Sequence, residues 1–232
     1  MYNTLKMIKD NLAKIRFRVQ EACARAGRNP AEITLVAVSK NRGIDEIKAA
    51  ISCGLTDIGE NRVQEALLKF NLLRTAKLRT HMVGHLQANK VKPAVRIFDL
   101  IHSVDSLRLA EEIDRQALKI NKVQDALLEI KTSPEEAKYG IQPEEAIEII
   151  GQITKLRNIR LRGLMTIAPL VDNPEQARLY FKILKELFNK VNLLSTIGYR
   201  LSAISMGMTD DFQIAIEEGA TMIRLGRAIF EG

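Results

Sequence analysis

The chain places an amine at the end of one apolar run and glycine- and hydroxyl-rich loops at the ends of two others. The first run is Leu35-Val36-Ala37-Val38-Ser39-Lys40. A lysine there turns its amine toward whatever mouth the strands form, where desolvation or cationic neighbours favour the neutral, nucleophilic amine that attacks aldehydes. The same spacing fits a surface lysine with its stem laid along apolar neighbours. The loops are Ser205-Met206-Gly207-Met208-Thr209 and Gly226-Arg227. They read either as glycine turns with Thr209 capping a helix, or as a phosphate cradle of backbone N–H groups. Asp210 and Asp211 follow at once and would compete with an anion for the helix dipole. A phosphate would therefore sit on the backbone of Met206-Gly207 and Gly226-Arg227, away from both carboxylates. Amine and cradle at one mouth would suit a Schiff base with a phosphorylated aldehyde.

Arg224 lies inside an apolar run, Met222-Ile223-Arg224-Leu225. A guanidinium in such a place needs a partner, either a core acid or a ligand. His81 and His85 read as acid–base groups or, more simply, as hydrogen-bonded structural residues. No set of histidines and carboxylates has metal-ligand spacing. Cys23 and Cys53 are isolated, which argues against a disulfide framework and fits a reducing, cytoplasmic setting.

The elements that must position these residues alternate. Short apolar runs at 33–38, 56–58, 81–83, 100–103, 126–130, 161–166, 201–205 and 222–225 predict strands. Amphipathic patterns at 44–53, 63–73, 89–96, 107–120, 144–156, 175–193 and 212–217 predict helices between them. Pro143 and Pro174 stand where first-turn prolines belong, with Asn173 as an N-cap. Before the first strand, Leu5, Ile8, Leu12, Ile15, Val19 and Ala22 form one stripe of an additional N-terminal helix, closed by Gly27 and Asn29-Pro30. Nothing marks a linker, so residues 1–232 read as one domain. Eight alternating strands predict a closed (β/α)8 barrel with every strand C-terminus at one mouth. An open doubly wound sheet would instead show a GxGxxG turn after its first strand, and here that turn reads Ser39-Lys40-Asn41-Arg42-Gly43.

With 46% hydrophobic residues, 5% aromatics and no tryptophan, aliphatic side chains must fill the core. No leader or membrane-spanning run is apparent. The net charge of +7 invites a nucleic-acid reading, but the basic clusters at 6–28 and 69–96 carry no interleaved aromatics. Solvated helix faces account for them.

Six stretches together carry a family resemblance: 35–40, Gly59-Glu60-Asn61, residues 81–90, Gly163-Leu164-Met165-Thr166-Ile167-Ala168-Pro169, residues 205–212 and residues 223–230. In order and over essentially the whole chain they resemble the YggS/PROSC family of pyridoxal phosphate homeostasis proteins. The resemblance implies a barrel like the N-terminal domain of bacterial alanine racemase, with pyridoxal 5'-phosphate as cofactor and no metal. It implies that Lys40 forms the Schiff base, and that Ser205, Met206, Gly207, Thr209, Gly226 and Arg227 hold the phosphate. It sets Arg224 against the pyridine nitrogen, Asn61 on the ring side and Met165 near the ring. Many members have an aromatic after this asparagine, where this chain has Arg62.

Two functions follow from the resemblance: a carrier that supplies the cofactor to apo-enzymes, and an amino-acid racemase. A guanidinium at the ring nitrogen favours the unprotonated nitrogen and weakens the electron sink, which disfavours transaminase chemistry. Alanine racemase takes a second base, a tyrosine, from an extra domain. This chain ends at Gly232, and none of Tyr2, Tyr139, Tyr180 and Tyr199 stands at an expected strand end. The expectation is a non-catalytic, cytoplasmic, monomeric carrier without nucleic-acid or membrane partners.

Overall fold

The computed structural model describes residues 2–73, 77–135, 139–194, 198 and 200–231. Along the chain run α1 (Tyr2–Arg25), β1 (Thr34–Val38), α2 (Ile44–Ser52), β2 (Asp57–Glu60), α3 (Val63–Leu72) and β3 (Arg79–Met82). Then come α4 (Val91–Ile97), β4 (Leu100–Val104), α5 (Leu107–Leu118), β5 (Gln124–Glu129), α6 (Ala146–Ile153) and β6 (Ile159–Met165). The last are α7 (Arg178–Leu193), β7 (Ala203–Ser205), α8 (Phe212–Glu217), β8 (Met222–Leu225) and α9 (Arg227–Phe230). The strands pair in sequence order, all parallel, and β8 returns to β1 with Val36 opposite Arg224, so the barrel is closed. This is the expected (β/α)8 barrel.

Two apolar compartments build it. Between helices and barrel wall lies a continuous shell from Ile8 of α1 to Phe230 of α9. Inside the barrel, Leu100, Leu127, Met165, Ala203 and Met222 form a separate plug, and Val36, Val38 and Val83 form another. β6 and β7 approach so closely that a Cβ on Gly163 would lie 1.7 Å from the Ala203 carbonyl oxygen.

Helix α1 is tied to the barrel by polar contacts as well as by its stripe. Asn11 donates to the carbonyls of Ile229 (3.1 Å) and Glu231 (2.8 Å), Arg18 to Gln213 (3.0 Å), and Arg25 pairs with Glu217 (2.7 Å). Arg28 donates to the carbonyls of Ile216 and Ala220, both at 2.7 Å. Part of the N-terminal basic cluster therefore serves internal docking. Lys6, Lys9 and Lys14 are exposed, as solvated-face residues would be.

Several expectations shift. Leu5, counted in the stripe, is 38% exposed. Asn173 caps as expected, but its helix opens with a 3-10 turn, Pro174–Ala177. Pro143 sits in a turn before α6, which starts at Ala146. Strand β3 begins at Arg79, so His81 lies within it rather than opening it.

Replacing Gly163 by alanine forces β6 and β7 apart and is expected to cost about 3 kcal/mol or more. Urea unfolding followed by circular dichroism measures it; a loss under about 1 kcal/mol would show that the strands separate freely.

Candidate functional site

At the mouth, β1 ends at Val38 and Lys40 is the second residue of a turn closed by an Arg42 N–H bond to the Ser39 carbonyl (3.1 Å). Asn41 takes φ of 59°, a left-handed value that asparagine tolerates at this turn position. Lys40 is exposed rather than buried at a strand end. Its neighbours are anchored on both sides. Lys69 of α3 donates to the Ser39 carbonyl (2.5 Å), Glu60 (2.8 Å) and Glu65 (2.6 Å). Glu65 also accepts from the Asn41 N–H (2.7 Å), and the Ser39 hydroxyl donates to Glu60 (2.5 Å). Burial pushes the Glu60 carboxyl up, opposed by its bonds to Lys69 and Ser39. The Lys40 backbone is thus pinned while its side chain reaches solvent.

The loops after β7 and β8 lie beside this turn, for a Cβ on Gly226 would stand 3.3 Å from the Val38 carbonyl. Gly207 has φ of 92°, and a Cβ there would approach Ala215 Cβ to 2.6 Å, so only glycine fits. Its N–H and that of Thr209 meet no acceptor among the described residues. The two acids are occupied elsewhere. Asp210 pairs with Arg227 (2.5 Å), and the Asp211 carboxylate turns back to the Met208 N–H (2.5 Å). Burial raises the Asp211 carboxyl, an effect opposed by the Met208 bond and by Arg224. Thr209 Oγ1 accepts a long bond from the Ala228 N–H (3.4 Å) instead of capping α8. Glycine-lined backbone with free N–H groups fits a phosphate. The Arg227 guanidinium is turned toward Asp210.

Below the mouth, Arg224 is 4% exposed and forms no ion pair among the described residues. It donates to Ser205 Oγ (2.7 Å) and the Thr166 carbonyl (2.9 Å). Burial pulls it down to about 10, while Asp211 and Glu129 oppose that from beyond bonding distance. Ser205 also contacts His102 Nδ1 (2.9 Å), His102 Nε2 contacts His81 Nδ1 (2.9 Å), and His81 Nε2 contacts Asp57 (2.9 Å). His81 is the hydrogen-bonded residue expected. His102, which strand periodicity alone does not single out, joins it to the site. Met206 is fully buried, and Met165 belongs to the apolar plug one strand over from Ser205.

On the opposite rim, Asn61 backs directly on Gly84, where a Cβ would come within 2.5 Å of its carbonyl. Asn61, Arg62, Gly84, His85, Gln87 and Lys90 line a cavity of about 600 Å³. Arg62 is exposed at the head of α3. His85 pairs with Asp105 (3.1 Å) and stacks on Tyr139, ring centres 3.7 Å apart. The long loop after β5 thus carries one tyrosine to the rim, although it is remote from the strand end in sequence. Tyr199 and Gly232 lie outside the described residues. No cluster of three metal-binding side chains occurs among the described residues.

Glu129, at the end of β5, was not read from the sequence as a site residue. Burial, with Asp105 adding, pushes its carboxyl up to about 7 against the pull of Arg224. A carboxyl that ionises later in the folded chain than in the unfolded one stabilises the fold at acid pH and loses that contribution as pH rises through about 7. Ligand-free protein is therefore expected to lose on the order of 2–3 kcal/mol between about pH 5 and pH 8 through this group. Glu129→Gln should flatten that decline in urea titrations; an unchanged slope would place the loss elsewhere.

The alanine racemase N-terminal domain model matches residues 11–232. The chain is 42% identical over 221 residues to the pyridoxal phosphate homeostasis protein of Aquifex aeolicus, covering 95% of this chain and 96% of that one. With the Escherichia coli protein of that name it shares 37% over 227 residues, covering 96% and 95%. Among solved structures, PipY of Synechococcus elongatus with PLP bound superposes with a TM-score of 0.85 at 35% identity, covering 96% of this chain and 99% of PipY. An unknown protein of Bifidobacterium adolescentis gives 0.91 at 36%, covering 98% and 96%. Alanine racemase of Clostridium difficile gives 0.75 at 14%, covering 97% of this chain and 56% of the racemase, a likeness of fold alone. Motifs, length and backbone agree: the chain belongs to the family of pyridoxal phosphate homeostasis proteins.

Proposed function

We propose that this chain binds pyridoxal 5'-phosphate as a Schiff base on Lys40, as one domain, and supplies it to apo-enzymes in the intracellular economy of vitamin B6. The observation that carries the reading is the pairing of a glycine-only cradle at Gly207 with an unpaired guanidinium, Arg224, beneath the same mouth. When bound, the cofactor supplies an aldehyde carbon and a conjugated ring that accepts electrons. Lys40 would supply the amine that condenses with that carbon, releasing water. Backbone N–H groups of Gly207 and Thr209, with Ser205, Met206, Gly226 and Arg227, would hold the phosphate. Arg224 would donate toward the ring nitrogen, and Asn61 and Met165 would stand along the ring.

The guanidinium, which favours an unprotonated ring nitrogen and a weak electron sink, suits a stored cofactor or a racemase that uses discrete bases and disfavours transaminase chemistry. The holding role is preferred because no tyrosine stands at an expected strand end. The racemase reading keeps one specific observation in its favour, Tyr139 at the rim. Its ring is already stacked on His85 and 56% exposed, which suits a lid-like contact better than a base held over the site. Docking of Arg18, Arg25 and Arg28 onto the barrel leaves the net charge little call for a nucleic-acid partner. No helix among the described residues is long and apolar enough to cross a membrane. The reading is of a cytoplasmic monomer.

Purified protein is expected to show the visible absorbance of a lysine–pyridoxal phosphate Schiff base, and Lys40→Ala to lose it with circular dichroism unchanged. A persisting band would assign the linkage to another lysine. With L-alanine, loaded protein should leave optical rotation constant; steady racemisation would overturn the carrier reading in favour of the enzyme.

A further inference from the structure

The contacts inside the barrel form one unbroken line from its floor to its mouth: Asp57 on β2, His81 on β3, His102 on β4, Ser205 on β7 and Arg224 on β8. The two histidines and Ser205 are fully buried and Arg224 nearly so, whereas the Asp57 side chain at the floor is 15% exposed. Donor and acceptor inventory then decides which way the protons point. A guanidinium only donates. Ser205 Oγ must accept from Arg224, so its own proton goes to its other partner, His102 Nδ1. His102 therefore carries its proton on Nε2 and gives it to His81 Nδ1. His81 in turn carries its proton on Nε2 and gives it to Asp57, which as a carboxylate only accepts.

The reverse direction fails at both ends. It would make Ser205 accept twice, with no recorded partner for its hydroxyl proton. It would also demand an imidazolium at His81 if that ring is to donate to both His102 and Asp57. Such a cation would be fully buried with Asp57 as its counter-ion, beside a neutral His102 that burial together with His81, Arg224 and Arg79 holds well below the usual imidazole range. Toward Arg224 the remaining charges are Asp211 and Glu129, neither in bonding contact.

We propose that Asp57 is a positioning residue for the cofactor's ring nitrogen, acting through a one-way hydrogen-bond chain, His81–His102–Ser205, that aligns the Arg224 guanidinium. The line does not carry a proton to the ring, because the Arg224 guanidinium has no lone pair with which to accept one. It acts as a polarised line from a cation to an anion, each bond strengthening the next. This inference rests on the reading that Arg224 faces the ring nitrogen, but its first test does not. In cofactor-free protein, nitrogen-15 NMR of the imidazoles should show Nε2 protonated and Nδ1 bare on both His81 and His102. A proton on His102 Nδ1 would overturn the direction.

The second test separates positioning from mere support of the fold. Asp57→Asn keeps an oxygen acceptor and should preserve both tautomers and the absorbance of the loaded protein. Asp57→Ala should leave the His102 tautomer as Arg224 and Ser205 set it, but strand the His81 Nε2 proton and move the His81 nitrogen-15 shifts. It should also shift the loaded absorbance and raise the dissociation constant for pyridoxal phosphate roughly two- to tenfold, the size of one net hydrogen bond. In a Ser205→Ala background, Asp57→Ala should add no further effect on the cofactor, since the line is already cut. Unmoved absorbance and affinity in Asp57→Ala would overturn the proposal, whereas loss of the Lys40 linkage alone would overturn only the binding reading. Should Asp57→Ala fail to fold, the wild-type tautomers and the Asp57→Asn comparison still decide it.

Discussion

A guanidinium buried in a barrel without a carboxylate in contact is the constraint that organises the interior. Removing such a charge from water is costly unless hydrogen bonds and distant opposite charge compensate. Arg224 has both, in Ser205 and the Thr166 carbonyl at bonding distance and in Asp211 and Glu129 further off. The Thr166 hydroxyl is itself held by Thr132 (2.9 Å) and the Ile130 carbonyl (2.8 Å), on the same residue whose carbonyl accepts from Arg224. The strand period of two does the rest. Leu100, Leu127, Ala203 and Met222 belong to the apolar plug, and two residues onward on the same strands stand His102, Glu129, Ser205 and Arg224. A largely apolar layer thus lies beneath a polar one, crossed at His81, beside Leu100, by the line down to Asp57, and the polar layer faces the mouth.

The mouth itself is built from rigid backbone carrying a free side chain. Ser39 and Asn41 are held through Lys69, Glu60 and Glu65, and Arg42 reaches both Glu46 (3.7 Å) and Glu231. Lys40 between them is exposed. Pinning the main chain would lower the entropy lost when the amine is engaged, while an exposed stem would let the amine attack an aldehyde and later be displaced from it. For the proposed carrier role, that division between fixed frame and reachable amine would serve better than a lysine sealed into the core.

Much of this was legible in sequence. All eight strands fell within a few residues of their expected places, because parallel strands buried on both faces read as continuous apolar runs. Lys40 and the Gly207 loop were legible for a different reason: a nucleophile, glycines and hydroxyls stand at strand ends, where a barrel gathers its chemistry. His102 was not, since one histidine within Leu100–Val104 gives no hint that it faces Ser205 across the barrel, a contact between residues 103 apart in the chain. Tyr139 escaped because the loop after β5 folds back, with Ile141 bridging Ile130, and so carries to the rim a residue far from its strand. Asp210 and Asp211 looked hostile to an anion from their spacing. Only side-chain geometry shows them turned to Arg227 and to the Met208 N–H.

The same geometry separates what the fold permits from what these residues favour. A barrel shared with alanine racemase at 14% identity says little about chemistry, since one scaffold hosts many activities. What distinguishes function here is the charge presented to the cofactor's ring. A carboxylate there would hold a proton on the nitrogen and draw electrons from any attached carbon. A guanidinium kept cationic by its own intrinsic basicity, with only donors to offer, cannot accept that proton. The residues behind it, from Ser205 to Asp57, can only accept in turn from the side of Arg224, so the line reinforces the donor and never reverses it. On the proposed reading the interior would hold the ring as a weak electron sink, which suits a stored cofactor or a racemase with discrete bases and disfavours transamination.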